Sequence, residues 1–600
     1  NNNITNLLVM IREHLLSSKK GRNILRYFLV KPDNKVIKTQ LCDYPNNYIS
    51  YLYLVNQSIP FDSMPYAMSL FNHNISWIHL INAIDIEGRN FELLGRYIKN
   101  NCESNNILYT SCDEVDKFGN IDELIEEYND SLVRYGIDRQ QKGKLVKEYD
   151  NVYIKSYEDT SIEIINTLNS YKSNIQKEFA EVVDNKKEEY LNMDLSEDKK
   201  EILNDIFRNH SIGIIHGPAG TGKTKMLEVL SMIFCGYSKI FLSNTNTAVE
   251  NLRARISGID LFNSTFKTVA NYNKYDDNDY DILIIDECSM ISNKDMLKAI
   301  KKQRYKLVIL AGDVFQIESI KYGNWFSLSY YLFKNEFVYD LIQTNRTDDI
   351  ELLELWKMIR DNDDNALNKI NSQEYSSPID FKEIFNKKDT DEIILCLNYD
   401  GLYGINNINK VLQAKNSNIE YTIGVDTFKI EDPIMFNDCP RFRDLYNNLK
   451  GTIKNIEKDN ENDCVWFTIL VDDILYNSEN NYEILENMDN KTMIRLYVRN
   501  FKDTNDDDDD RNEHIIPFNL AYAVSIHKAQ GLEYNSVKII ITSNVEEQIT
   551  KNIFYTAITR TKKYLKIFWS PESQMKIFDN MKKRNSTKDV AILKNKINIT

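Results

Sequence analysis

The rhythm of hydrophobic and polar positions changes several times along this chain. From residue 195 to about 341, short β-rich apolar runs (213–216, 239–243, 282–286 and 307–311) alternate with segments of helical spacing. That alternation predicts a parallel sheet wrapped by helices. A second set of strands is predicted at 392–397, 521–525, 537–542 and 564–569. Between its halves lie short runs at 432–436, 450–453 and 465–470, broken by Gly, Pro and Asn, which predict a small barrel. Residues 1 to about 140 read as a mixture, with strands at 24–30 and 48–55 and helices at 91–100 and 121–128. Residues 161–171 and 175–190 are charged and carry apolar positions three and four apart, which predicts two helices forming a stalk or linker. The expected division is an N-terminal α+β accessory region of unknown role (1–145), a helical stalk (146–194), a first α/β unit (195–345), a second α/β unit (346–424 with 516–600) and its β insertion (425–515).

Composition narrows the class. At 600 residues the chain exceeds one hydrophobic core, and about three to five domains are expected. No apolar stretch approaches the ~18–20 residues that span a bilayer, so no membrane partner is expected. The start, Asn1-Asn2-Asn3, predicts no signal peptide, and a chain beginning at Asn1 is expected to start inside a native one or after a trimmed tag. Eight dispersed cysteines form no C-x-x-C pair and, with seven His, no zinc spacing; free thiols in a reducing cytoplasm are expected. Net charge is −15, the wrong sign for broad adhesion to nucleic acid, although a locally basic channel remains compatible with it. The acidic run at Asp503 and Asp506 to Asp510 reads as a solvated loop.

The chemistry begins at Gly217-Pro218-Ala219-Gly220-Thr221-Gly222-Lys223-Thr224, which fits G-x-x-x-x-G-K-[ST] between a predicted strand and a predicted helix. Glycines let the backbone curl around an anion, and N–H groups at the helix start point at phosphate oxygens. Lys223 is placed to reach the β- and γ-phosphates of a nucleoside triphosphate, and the Thr224 hydroxyl to ligate Mg²⁺. About sixty residues on, four apolar residues end in Asp286-Glu287, at the end of a strand where α/β sheets hold ligands. Asp286 suits Mg²⁺, mostly through water, and Glu287 suits positioning or deprotonating the attacking water. The next strand ends in Gly312-Asp313-Val314-Phe315-Gln316, where Gln316 is placed to sense the γ-phosphate.

Here the chain resembles the superfamily 1 helicases, in the RecD-like and Upf-like branch that travels 5′ to 3′. Residues 242–252 resemble motif Ia, Asp286-Glu287-Cys288-Ser289-Met290 motif II, Gly312 to Gln316 motif III and residues 343–347 motif IV. Residues 524–534 are similar to motif V and 555–562 to motif VI; residues 406–409 and the Asp432/Lys450-Gly451 pair are weaker features of the same family. The resemblance covers about residues 195–570 in the family's order. It implies two RecA-like motor domains with an SH3-like insertion in the second, ATP and Mg²⁺ as cofactors, and single-stranded nucleic acid, DNA before RNA, as partner.

The resemblance also implies roles. Arg346 and Arg560 match the arginines that reach the γ-phosphate from the second domain, where phosphoryl transfer needs cationic stabilisation. Gly531 and Glu533 are expected to face the nucleotide. Asn246 and Thr247 on the first domain, and Ser525, His527 and Lys528 on the second, are expected on the strand backbone, where such donors set register without reading sequence. Trp325 and Phe326 are read either as a base-stacking pair or as core. The chain departs from its relatives at Lys199, near the place of an adenine-reading Gln, and has little room for a wedge between motifs Ia and II. Beside a helicase, two other readings stand: an ATPase that strips proteins from nucleic acid, and an ATP-gated module whose residues 1–190 bind a protein partner.

Overall fold

The computed structural model describes residues 2–17, 23, 25–26, 41–46, 52–54, 86–133 and 143–597, apart from 173–176, 257–262, 320, 345, 390, 400, 424–425, 438, 440, 443–444, 460, 476–481, 489–490, 500–514, 544–548 and 583–586. Of the strand expected at 24–30 only Leu25 and Arg26 are described, and both are helical rather than extended; the acidic run at 503 and 506–510 lies outside the described residues, as does most of the strand expected at 48–55, of which Leu52–Leu54 is a strand.

Two parallel sheets organise the chain. The first has six strands in the order Val338–Asp340, Ile212–His216, Leu307–Gly312, Ile282–Ile285, Lys239–Ser243 and Ser264–Thr268. Its central strands are buried along their whole length, as expected where helices cover both faces. Successive side chains point to opposite faces. Ile212, Ile214, Val308 and Leu310 therefore enter one core, and Ile215, Leu307, Ile309 and Ala311 enter another. The register pairs Gly312 with His216 and Leu310 with Ile285, so the phosphate loop, Asp286 and Asp313 leave the sheet at one edge. The second sheet has five parallel strands in the order Ser376–Ser377, Thr561–Phe568, Tyr534–Ile540, Glu392–Cys396 and Ala523–Ser525.

Between Cys396 and Ala523 the chain builds a separate antiparallel sheet of six strands: Tyr482–Met488, Lys491–Arg499, Cys464–Val471, Lys450–Asp459, Pro433–Phe436 and Phe518–Leu520. Alternate positions of Lys491–Arg499 are buried, and Phe467, Phe428 and Phe436 meet Phe518 edge to face in its core.

The helices expected as a stalk do not stand apart. Leu145–Glu148 and Asn151–Ile154 form an antiparallel sheet with Thr110–Ser111. Helix Lys155–Lys172 buries Ile164, Ile165 and Leu168 in the same core as Leu94, Ile98 and one face of the first parallel sheet. It is tied to helix Asn293–Lys301 by Asn293 Nδ2 donating to Ser161 Oγ at 2.9 Å. The next two helices, Lys177–Asn185 and Lys187–Leu191, bury Phe179, Val183 and Tyr190 on the opposite face. An amphipathic helix that covers an open sheet face removes apolar surface of both from water, and these helices have such a face available. Described residues 86–172 and the first α/β unit thus share one core.

The C-terminus also departs from the expected division. Helix Pro571–Lys582 packs on the second sheet through Ile577 and Met581. Helix Thr587–Ile597 instead lies against helices Trp325–Leu332 and Lys155–Lys172, with Leu593 fully buried in the first unit's core. Among the described residues, no helix is long and apolar enough to cross a membrane.

Candidate nucleotide and nucleic-acid sites

The phosphate loop leaves the buried strand Ile212–His216 and opens helix Lys223–Ile233. Gly220 and Gly222 both hold φ of +82°, a conformation that L side chains rarely adopt. A Cβ on Gly220 would also lie 2.4 Å from the Cβ of Arg346, so the second unit's arginine rests directly on the loop. Thr221 Oγ1 donates to Pro218 O at 2.9 Å and stiffens the turn. Lys223 Nζ folds back onto the loop, donating to Gly217 O at 2.6 Å and Pro218 O at 3.1 Å. Burial lowers the pKa of this amine, and Asp313 and Asp286 oppose that shift.

Asp286 is buried at the edge of the sheet, 3.4 Å from Thr224 Oγ1, and accepts from the N–H of Glu287 at 2.8 Å. Burial raises its pKa. Glu287 sits at φ of +53°, uncommon for a residue with a Cβ and a mark of backbone strain at functional sites. Burial first, and the neighbouring Asp286 second, push its carboxyl up to about 7. A Cβ on Gly531 would stand 3.6 Å from Glu287 Oε1, so the motif V turn of the second unit faces this acid.

The arginines come from the far side. Arg346 donates through Nη1 to Thr559 O at 2.6 Å and is paired with Glu533. Arg560 is 1% exposed and donates to Thr556 O and Leu532 O; burial and Arg346 lower it to about 10. A cleft of about 420 Å³ is lined by Ala219, Gly220, Gly222, Lys223, Thr224, Asp286, Glu287, Gln316, Arg346, Gly531, Glu533 and Arg560. Gly217, Pro218 and Thr221 shape the loop from behind. The cleft also includes Asn251, Arg255, Ser289, Asp313 and Lys562, which sequence reasoning missed. One signal was available: Thr247, Asn251 and Arg255 recur every four residues on helix Asn246–Ile256.

The proposed strand contacts divide. Asn246 and His527 are exposed. Thr247 is buried and donates to Asn447 O of the insertion at 2.9 Å. Ser525 Oγ accepts from Lys528 N at 3.2 Å, and Lys528 Nζ donates to Asn437 Oδ1 at 3.1 Å. The base-stacking reading of Trp325 and Phe326 is corrected: both are 0% exposed. Trp325 Nε1 donates to Ile291 O at 2.8 Å, and Phe326 packs against the Cα of Gly312. Helix Trp325–Leu332 is enclosed by helices Lys155–Lys172 and Thr587–Ile597, so neither ring reaches a base.

Residues 194–377 match the AAA domain family AAA_30, and residues 520–567 match the UvrD-like helicase C-terminal domain family. The RecD subunit of the RecBCD enzyme from Buchnera aphidicola (subspecies Acyrthosiphon pisum) is 26% identical over 447 residues, covering 62% of this chain and 66% of that protein. In both matched regions the chain is similar to RecD-like and Pif1-like helicases. Another such relative, the ATP-dependent DNA helicase Pif1 of Campylobacter jejuni, is 26% identical over 315 residues, 47% of this chain and 67% of that one. An uncharacterized protein of Methanocaldococcus jannaschii is 24% identical over 593 residues, 80% of this chain. The chain spans 49% of that archaeal protein and 66% of the Buchnera RecD. A crystal structure of Bacteroides Pif1 bound to ssDNA aligns at 18% identity with a TM-score of 0.41, covering 64% of this chain and 94% of that one.

Proposed function

We propose that this RecD-like chain is an ATP-driven motor that moves 5′ to 3′ along single-stranded DNA and separates duplex. The observation that carries the proposal is the single cleft lined by Lys223, Asp286 and Glu287 from one parallel-sheet unit and by Arg346 and Arg560 from the other. We read residues 195–345 as the first RecA-like motor domain, 346–424 with 516–600 as the second, and 425–515 as an SH3-like insertion. We assign helix Thr587–Ile597, which packs against helices Trp325–Leu332 and Lys155–Lys172, to the first domain instead of the second.

In this reading ATP binds across the cleft. Five cationic side chains line it (Lys223, Arg255, Arg346, Arg560 and Lys562) against four carboxylates (Asp286, Glu287, Asp313 and Glu533), a local balance far from the chain's net −15 and suited to a triphosphate. Lys223 exchanges its two loop carbonyls for phosphate oxygens. Glu287 takes a proton from the attacking water as the new oxygen–phosphorus bond forms and the β–γ bridging bond breaks, giving ADP and phosphate. Arg346 and Arg560 stabilise the charge that develops, so hydrolysis depends on how the two units meet. Thr224 Oγ1 and Asp286 supply hard oxygens on one side of the cleft, a donor set that suits Mg²⁺ completed by phosphate and water. That ion, when bound, neutralises phosphate charge. In this reading Asn246, His527 and Lys528 line the strand path, and the buried Ser525 braces Lys528 from below. DNA is preferred to RNA in this reading because the Campylobacter relative is named a DNA helicase.

The test is unwinding of 5′-tailed against 3′-tailed duplexes, in DNA and RNA, with ATP and Mg²⁺. The proposal expects 5′-tailed DNA to be opened, and opening and strand-stimulated ATP hydrolysis to vanish together in Lys223→Ala. Full turnover in that variant would overturn the site. Hydrolysis without strand movement would favour a gated module instead.

A further inference from the structure

The burial of Trp325 leaves the strand path without the aromatic ring assigned to it. Another ring is exposed on the second sheet. Strand Glu392–Cys396 lies beside Ala523–Ser525, with Cys396 paired to Ser525 and Ile526 N donating to Cys396 O at 3.2 Å. Both strands run parallel, so the turn holding Ser525, His527 and Lys528 and the loop that follows Cys396 emerge side by side at the carboxyl edge, where open α/β sheets hold ligands. Neighbouring strands lie only about 4.8 Å apart. Three residues past Cys396 stands Tyr399, 47% exposed, followed by Leu402 at 60%. Around them Asn406, Asn407 and Lys410 complete a groove of about 390 Å³.

This groove is built on a fixed frame. The loop is closed by Ile405 N donating to Asn398 O and Asn406 N donating to Tyr399 O, both at 3.0 Å. Asn407 Nδ2 donates to Leu402 O at 2.7 Å. Helix Ile405–Ala414 is locked to the neighbouring strand by Asn409. Its amide donates to Leu520 O and Ala523 O at 3.1 Å and accepts from Ala523 N at 2.7 Å. The backbone under Tyr399 is therefore held while its ring stays accessible.

We propose that Tyr399 is a stacking platform for a base of the single strand, and that Lys410 meets the adjoining phosphate. The inference rests on the motor reading above. Nucleic acid fits this groove better than a protein surface does. The apolar part is one ring and one leucine, the rim is amide and ammonium, and the groove continues the edge that carries Ser525, His527 and Lys528. A ring offers a face to any base, which suits a motor that must not stop at particular sequences.

The experiment compares a labelled oligothymidylate with a base-free strand of the same length, by fluorescence anisotropy without nucleotide. Tyr399→Ala is expected to weaken thymidylate binding about tenfold and leave the base-free strand unchanged, while Tyr399→Phe binds both as the parent does. Lys410→Gln is expected to weaken both strands alike and flatten the dependence of log affinity on log salt by about 0.7. Unstimulated ATP hydrolysis remains at the parent level in all three, which reports folding. Unchanged thymidylate binding by Tyr399→Ala would overturn the platform and leave the patch to a protein partner. Equal loss on both strands would overturn it in favour of a structural role for the ring. If the parent chain binds neither strand, the motor reading falls, and the platform with it.

Discussion

Arg346 and Glu533, 187 residues apart in sequence, meet in the cleft with Nε and Nη2 of the arginine both donating to Oε1, at 3.0 and 2.6 Å. The same carboxylate holds Lys562 Nζ at 3.1 Å through its other oxygen. Glu533 thus orients two cations that line the cleft. A planar guanidinium uses this fork geometry, and an ammonium does not.

Glu533→Gln is expected to lower strand-stimulated kcat/KM for ATP about tenfold, the loss of roughly one charge-assisted hydrogen bond's orienting energy. Arg346→Lys should lose at least as much, although its charge is kept. Steady-state hydrolysis decides it: parent-like kinetics in both variants would show that the pair does not set the arginine's position.

Glu287 gives a pH prediction. Its carboxyl is pushed up to about 7, so the base form is lost as pH falls through that value. Hydrolysis by the parent should drop about tenfold per unit below pH 7 if this residue is the base. The effect on stability has the opposite sense. An acid whose folded pKa lies above its usual 4.5 costs the fold stability as pH rises from about 4.5 to about 7, because the buried group must ionise. Glu287→Gln removes that cost. Thermal melting should show the variant above the parent at pH 8 and the gap closing toward pH 4.5; a constant gap would contradict the assignment.

How much of this was legible depended on how local each signal was. Gly220 and Gly222 are required by their own backbone angles, and Asp286 and Glu287 follow directly from a strand end. Both parallel sheets could be read because strands buried on two faces are continuous apolar runs. The helix at 155–172 showed its apolar face but not the sheet that covers it, so it read as a stalk. Trp325 failed in the same way. Its place beside motif III said nothing of a helix arriving from residues 587–597. Arg255 was overlooked because it stands two turns beyond the motif Ia residues that drew attention.

Trp325 tests that correction. Its ring is enclosed and its N–H bonded to Ile291 O, so Trp325→Ala opens a cavity and costs about 3–5 kcal/mol of stability. Chemical denaturation should show the loss, and a folded fraction of the variant should bind single-stranded DNA with parent affinity. Weakened binding at unchanged stability would restore the stacking role.

Asp589 is the anchor of the C-terminal helix, and its loss should be visible far away in sequence. The buried carboxylate accepts from Leu108 N at 2.7 Å through one oxygen and from Tyr109 N at 3.1 Å through the other. Lys596, two turns on, is paired with Glu148 and Glu158 of the same N-terminal unit. Asp589→Ala leaves two buried N–H groups without their acceptor, at a cost of roughly 2–4 kcal/mol. Asp589→Asn keeps one acceptor oxygen in place of two and should fall between. Amide hydrogen exchange reads the contact directly: exchange at Leu108 and Tyr109 should accelerate in Asp589→Ala, together with helix Thr587–Ile597, while the central strand Ile282–Ile285 keeps its protection. Parent-like protection at Leu108 and Tyr109 would mean that the helix is held by Leu593 and the lysine pairs alone.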